Sequence, residues 1–326
     1  MKKNKILITG GAGFVGSNLV DFFLKKKIKV TVLDKKGKRF SPDWLKTKNH
    51  KNLNIIYSDI RITKIVSELI KKNDYVIHLA ALISIPHSYK FPKDHLDTNI
   101  FGTFNVLEAC KKFNKSCIIT STSETYGSGI KFPMDEQHRL NAQSPYAATK
   151  ISADQLALSY FNSYDTKVKI IRPFNCFGPR QSPRAVIPNM ILQMLNNNKK
   201  IKIGNSTTFR DYIFVDDLCN AYWKLYKSNK GYGQIFNVGS GKTYQIKKIF
   251  NILSKILKYQ GSLKVEKKRL RPTKSEVVKL HAANKKFKKT FNWLPTNSFE
   301  DGLIKTIRWF SANKKNFEKI INLYSI

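Results

Sequence analysis

Tyr146 and Lys150 stand four residues apart in SPYAATK, so on a helix both side chains share one face. A phenol has a reference pKa near ~10, and a neighbouring ammonium favours the phenolate, which makes Tyr146 a candidate general base. The same spacing also occurs in ordinary helices as a half-buried aromatic beside a surface charge, so context decides its meaning. Gly10, Gly13 and Gly16 lie in ILITGGAGFVGS, between an apolar strand and the amphipathic segment Phe14 to Leu24. A tight turn, close approach to a pyrophosphate and close helix packing each call for glycine, and the helix amino terminus, beginning Phe14-Val15, offers N–H groups to phosphate. Asp34 follows eighteen residues beyond Gly16, where a carboxylate accepts from an adenosine ribose and repels a 2′-phosphate. This favours NAD over NADP, while Lys35 and Lys36 beside it leave a place for the extra phosphate.

The elements that must hold these residues read as short β-branched runs: KILITG, KVTVLD, LNIIYSD, DYVIHLA, KSCIITST and KVKIIRP, each separated by enough chain for a crossover helix. The expected fold is α/β, a Rossmann-like doubly wound parallel sheet with a smaller, interleaved C-terminal substrate lobe. Asp59 and Ile60 after the third run, and Leu79, Ala80 and Ala81 after the fourth, fall at carboxyl ends of strands, where this architecture binds ligands. After Pro173 the rhythm changes to loops rich in proline, a helix from about Pro188 to Asn196 and brief strands such as Gln234 to Val238. The division expected is a cofactor domain over 1–172 with returning segments near 211–239, and a substrate lobe over 173–210 and 240–326.

Bulk composition narrows the partners. The chain has 59 Lys and Arg against 22 Asp and Glu, a net charge of +37 that attracts polyanions and helps collect a diphosphate. The excess is lysine spread along the whole chain, without a basic tail, an Arg-rich stripe or a helix-turn-helix or RRM signature, so no specific nucleic acid is expected. No apolar run approaches the ~20 residues of a membrane span, and MKKNK passes straight into a strand, so a cytoplasmic protein without membrane insertion is expected. Cys110, Cys117, Cys176 and Cys219 have no metal-ligand spacing and are expected as reduced thiols. His78 and Asp216-Asp217 read as a core histidine and as loop or cap carboxylates, and no metal is expected.

The ordered combination of a glycine-rich start, a fifth strand ending in STSETYG and the later SPYAATK resembles the extended short-chain dehydrogenase/reductase (NAD-dependent epimerase/dehydratase) family over essentially the whole chain. The resemblance implies a catalytic triad of Thr122, Tyr146 and Lys150 with NAD as cofactor. It also gives Glu124 a role: the Thr-x-Glu pattern is similar to that of nucleotide-sugar 4,6-dehydratases, where the glutamate removes the C5 proton. Once C4 is a ketone the C5 hydrogen is acidified, and a carboxylate within reach can take it as the C6 hydroxyl departs. Ser123 stands where some dehydratases carry an aspartic acid, so proton delivery to the leaving hydroxyl falls to Glu124 or a relay through Ser123 or water. Nucleotide-sugar decarboxylases share the Thr-Ser-Glu run, and decarboxylation and 4-epimerisation stay open, as does a non-catalytic NAD- or polyanion-binding role.

Three strings, HLAALISIPHSY, FGPRQSPRAVIP and RLRPTKSEVVKL, resemble the N-acetylglucosamine 4,6-dehydratases of legionaminic-acid-type pathways. The implied substrate is a GDP- or UDP-linked hexose, read as GlcNAc. Asn175, Arg180, Val186, Arg210 and Arg271, with Ser123, are the implied substrate contacts; arginine suits phosphate because its planar fork makes paired, charge-assisted bonds. Segments Asp94 to Lys112 and Ser144 to Tyr160 read as amphipathic helices, and relatives pair this face into a four-helix contact, so a homodimer is expected.

Overall fold

Each early apolar run becomes a strand in the computed structural model, which describes residues 4–35, 44–45 and 49–317. β1 (Lys5–Thr9) turns through the glycines into α1 (Phe14–Lys25), followed by β2 (Lys29–Asp34), β3 (Leu53–Tyr57), α2 (Thr63–Lys72) and β4 (Tyr75–His78). Next come α3 (Ile85–Lys90), α4 (Pro92–His95), a π-helical stretch (Leu96–Phe101), α5 (Gly102–Lys112) and β5 (Ser116–Thr120). A 3₁₀ turn (Ser123–Tyr126) then leads towards α6 (Pro145–Tyr164), β6 (Val168–Pro173), β7 (Asn175–Phe177) and α7 (Val186–Leu195). The remainder is β8 (Lys200–Ile203), β9 (Phe209–Phe214), α8 (Val215–Lys227), β10 (Gln234–Val238), β11 (Thr243–Gln245) and α9 (Ile246–Leu257). β12 (Ser262–Val265), β13 (Lys279–Leu280), α10 (Lys285–Phe291) and α11 (Phe299–Ala312) complete it.

Among the described residues the main sheet has seven strands in the order β10-β6-β5-β4-β1-β2-β3, all paired in parallel. Its central strands are apolar on both faces because helices cover both: β4 is buried throughout, as are Ile6, Leu7 and Ile8 of β1. One core lies under α1, α8 and the C-terminal lobe, the other under α2, α5 and α6. The chain leaves β1 towards β2 on one side and returns through β4 on the other, so the strand order reverses there and opens a crevice at the carboxyl ends.

The lobe of the second half is built around β9, which pairs with β7, β11 and β13, while β12 pairs with β8. β10 returns to the large sheet beside β6 with Gln234 opposite Lys169. β9 stays in the small sheet through Phe214, and α8 follows from Val215.

The segment expected as one helix from Asp94 is helical but interrupted by a π turn. Asn99 lies within the widened turn. Its carbonyl accepts from Thr103 Oγ1 at 2.6 Å, while its buried side chain bonds both Leu82 N and O and donates to Thr149 Oγ1 at 3.0 Å. A wider turn aims that amide inward, as π turns at functional sites often do.

Candidate active site

α6 starts where the sequence carries a strong helix signal. Ser144 caps it by accepting from Ala147 N at 3.1 Å, and Pro145 occupies the first helical position. Tyr146 and Lys150 therefore fall in its first turns, 7% and 4% exposed. They face the end of β5, where Lys150 Nζ donates to the Thr120 carbonyl. Beyond it, Thr122 caps the 3₁₀ turn by accepting from Glu124 N at 3.3 Å and is hydrogen bonded to Tyr146. Ser123 is buried, and the Glu124 side chain is 13% exposed. The structure thus brings Thr122, Ser123, Glu124, Tyr146 and Lys150 together.

The electrostatics differ from the expectation for an isolated pair. Burial is the dominant effect on Tyr146 and pushes its phenol well above the ordinary value; the Thr122 hydrogen bond opposes this, and the Glu124 and Asp154 carboxylates add to it. Lys150 is lowered by burial, with Asp154 opposing. Its ammonium donates to the Thr120 carbonyl, and burial outweighs the other influences on the Tyr146 phenol.

Asp154 is a residue that the sequence reading passed over. It lies one helical turn beyond Lys150 and is fully buried, taking a 2.7 Å ion pair from buried Arg172 and a hydrogen bond from Ser121. It ties α6, β6 and the residue after β5 together, next to the 3₁₀ turn. Spacing alone signals it: Tyr146, Lys150 and Asp154 repeat every four residues. Asn99 also went unmarked, and it braces Thr149 from the opposite side.

The crevice fits NAD. Gly10 has φ +73°, and a Cβ there would lie 2.7 Å from Ala80 N, at the meeting of the β1 and β4 ends. A Cβ on Gly16 would lie 2.2 Å from the Gly10 carbonyl oxygen. Gly13, at φ −75° and ψ −178°, is in backbone open to any residue, which leaves close approach to a ligand as its reason. α1 has no side-chain cap and no acid in its first turn, so the N–H groups beginning at Phe14 and Val15 face the phosphate position. Gly16→Ala is expected to weaken NAD binding by at least about tenfold, roughly 1.4 kcal/mol, because backbone must shift to admit the methyl. Fluorescence titration with NAD checks it.

Asp34 lies at the loop edge and accepts from Ala12 N and Lys35 N, each at 2.8 Å. Lys35 reaches Asp59 at 3.0 Å, so its charge is engaged there rather than turned to a 2′-phosphate; Lys36 lies outside the described residues. Arg61 also holds Asp59 and keeps its carboxyl well below the usual range. Ile60 is buried against Gly102, while Leu79 N donates to Thr9 O at 3.0 Å and Ala80 N to Thr9 Oγ1 at 3.3 Å, with Ala81 following.

On the substrate side, Asn175 opens β7 opposite Tyr212, and the buried Asn175 Oδ1 and Tyr212 hydroxyl have no hydrogen-bond partner among the described residues. Such orphaned groups suit a polar ligand. Val186 begins α7. Arg210 Nη1 donates to Phe209 O at 2.9 Å, and its Nη2 lies 3.6 Å from Glu276, which Arg271 also approaches at 3.9 Å. Arg180 departs from expectation: Asp21 holds its Nη2 at 2.7 Å and the Ser17 carbonyl its Nη1 at 3.0 Å, so it braces α1 instead of offering a free fork.

His78 sits in the core between Thr9 Oγ1 at 2.7 Å and Thr103 Oγ1 at 3.1 Å, and burial lowers its pKa to about 3. The unfolded chain takes up a proton near the ordinary histidine value of about 6.5, while the folded chain resists until about 3. Stability is therefore full above that upper value and falls with decreasing pH by about 1.4 kcal/mol per unit from this group. Urea unfolding at pH 7 and 5 should show the loss, and His78→Gln should reduce it. Asp217 accepts from Thr296 and Asn297 and anchors their loop. No group of three or more His, Cys, Asp or Glu among the described residues is placed to hold a metal, and the four cysteines are unpaired.

The family model described as GDP-mannose 4,6 dehydratase matches residues 7–306. A putative UDP-glucose 4-epimerase from Methanocaldococcus jannaschii is 30% identical over 95% of this chain and 99% of its own length. UDP-glucuronic acid 4-epimerase from Bacillus cereus, solved with UDP-glucuronic acid and NAD, is 30% identical with a TM-score of 0.87, covering 95% of this chain and 99% of that one. dTDP-glucose 4,6-dehydratase from Streptomyces venezuelae, solved with NAD and TYD, is 26% identical with a TM-score of 0.86, covering 97% of this chain and 99% of that one. No described helix is long and apolar enough to cross a membrane.

Proposed function

Because this chain belongs to the GDP-mannose 4,6-dehydratase family of NAD-dependent nucleotide-sugar enzymes, which includes epimerases and decarboxylases among its relatives, we propose that it is a 4,6-dehydratase. Its substrate in this reading is GDP- or UDP-linked GlcNAc, and its product the 4-keto-6-deoxy sugar, formed in the cytoplasm. Glu124 carries the reading. An epimerase needs a base at the C4 hydroxyl, whereas elimination needs a second one at C5. Glu124 supplies a largely buried carboxylate on the same turn as Thr122 and close enough to Tyr146 to affect its ionisation.

NAD, when bound, supplies the acceptor for the C4 hydrogen and a positive charge that favours the phenolate. Tyr146 takes the proton of the C4 hydroxyl while Thr122 holds the same oxygen, and Lys150, fixed on Thr120 O, keeps the turn and helix in register. Glu124 removes the C5 proton, the C6 hydroxyl leaves as water with a proton from Glu124 or through Ser123, and the hydrogen taken from C4 ends at C6. C5 regains a proton, so the net change is loss of one water and the cofactor ends unchanged.

Asn175, Arg210 and Arg271 are the residues proposed to hold the sugar diphosphate, and the orphaned Asn175 Oδ1 supports this. Incubation with GDP-GlcNAc, UDP-GlcNAc and UDP-glucuronic acid, read by product mass, tests the proposal: loss of water from a GlcNAc nucleotide supports it, and loss of carbon dioxide from the uronic acid contradicts it.

The enzyme is further proposed to be a homodimer through the α5 and α6 face. Phe101 at 59%, Phe104 at 40% and Tyr164 at 55% exposure, carried on these helices and the π-helical stretch before them, support this, since exposed apolar surface of that kind marks contact sites. Solution scattering is expected to give twice the chain mass, and a monomeric mass would contradict the interface.

A further inference from the structure

Arg271 faces two carboxylates at once. Its Nη1 lies 3.8 Å from Glu124 Oε1 and 3.9 Å from Glu276 Oε1, and it has no hydrogen-bond partner among the described residues. The same oxygen of Glu276 lies 3.6 Å from Arg210 Nη2. Arg210 is anchored separately through Nη1 to Phe209 O, whereas Arg271 is suspended between the two acids. The segment bearing Glu276 is braced against the start of the catalytic helix. Ser275 donates to the Gln143 carbonyl and meets the Tyr89 hydroxyl, and Gln143 Nε2 donates to Lys274 O at 2.8 Å.

We propose that Glu276 is a positioning residue: by sharing Arg271 it holds that guanidinium off Glu124 and keeps the Glu124 carboxylate available to accept the C5 proton. The proposal rests on the dehydratase reading of Glu124. A carboxylate locked in a paired, charge-assisted contact with arginine is a weaker proton acceptor than one touched at a distance. Removing the charge of Glu276 leaves Glu124 as the carboxylate nearest to Arg271, and the guanidinium closes on it.

Glu276→Gln is expected to lower kcat for dehydration by about tenfold or more, with reduced cofactor accumulating at 340 nm because C4 oxidation outruns elimination. Adding Arg271→Gln to that variant should restore kcat while KM stays high, since the diphosphate has lost a partner. A variant that loses NAD retention and kcat together, without recovery in the double variant, overturns the proposal. If Glu276→Gln does not fold, Arg271→Gln alone decides: raised KM without slowed elimination supports the idea, and slowed elimination overturns it. Substrate-free crystal structures of the wild type and Glu276→Gln read the shared contact whatever the reaction proves to be. Closure of Arg271 on Glu124 to hydrogen-bond distance supports the sharing and an unchanged separation overturns it, while a wild-type enzyme that forms no dehydrated product counts against the dehydratase reading instead.

Discussion

Tyr146→Phe is expected to lower kcat by about 10³-fold, within the roughly 10²–10⁴-fold that a positioned acid–base group contributes, while NAD binding persists. The substitution removes the proton acceptor for the C4 hydroxyl together with the Thr122 hydrogen bond, but leaves Lys150 on the Thr120 carbonyl and the glycine loop untouched. Single-turnover absorbance at 340 nm should show no reduced cofactor, because the reaction is stopped before C4 is oxidised. Unchanged turnover would contradict the role of Tyr146 as the base at the C4 hydroxyl.

Glu124→Gln is expected to fail one step later. The amide keeps the shape of the turn, and its backbone N–H still donates to Thr122, so oxidation at C4 should proceed. Elimination should slow by about 10²–10⁴-fold, and reduced cofactor should accumulate with the 4-keto sugar. Exchange of the C5 hydrogen with deuterated solvent should be lost in parallel. The contrast between the two variants separates the base at O4 from the base at C5.

Much of this was legible in the chain because the signals are local. The β-branched runs mark the main strands, Ser144-Pro145 marks the start of α6, and the glycines of the first turn announce their own geometry at Gly10 and Gly16. What the sequence hid depends on distant partners. Arg180 reads as a substrate contact until the fold sets it beside Asp21, 159 residues away. The Tyr146 phenol reads as eased toward phenolate by the Lys150 ammonium, whereas the depth of burial of both residues is set only by the fold. Asn99 gives no sign of a π turn, since its inward bonds to Leu82 and Thr149 exist only after folding. Glu276 lay within RLRPTKSEVVKL, but its relation to Arg210, Arg271 and Glu124 required the lobe to close over the catalytic turn.

The most direct test follows one hydrogen. Nucleotide-linked GlcNAc carrying deuterium at C4, as the GDP and UDP forms, would be converted by the wild-type enzyme and the product read by mass and proton NMR. A 4-keto-6-deoxy product with the deuterium delivered to C6 is the predicted result, joining Tyr146 and Glu124 in one reaction. Deuterium retained at C4 of a sugar of unchanged mass with inverted configuration would contradict the dehydratase account.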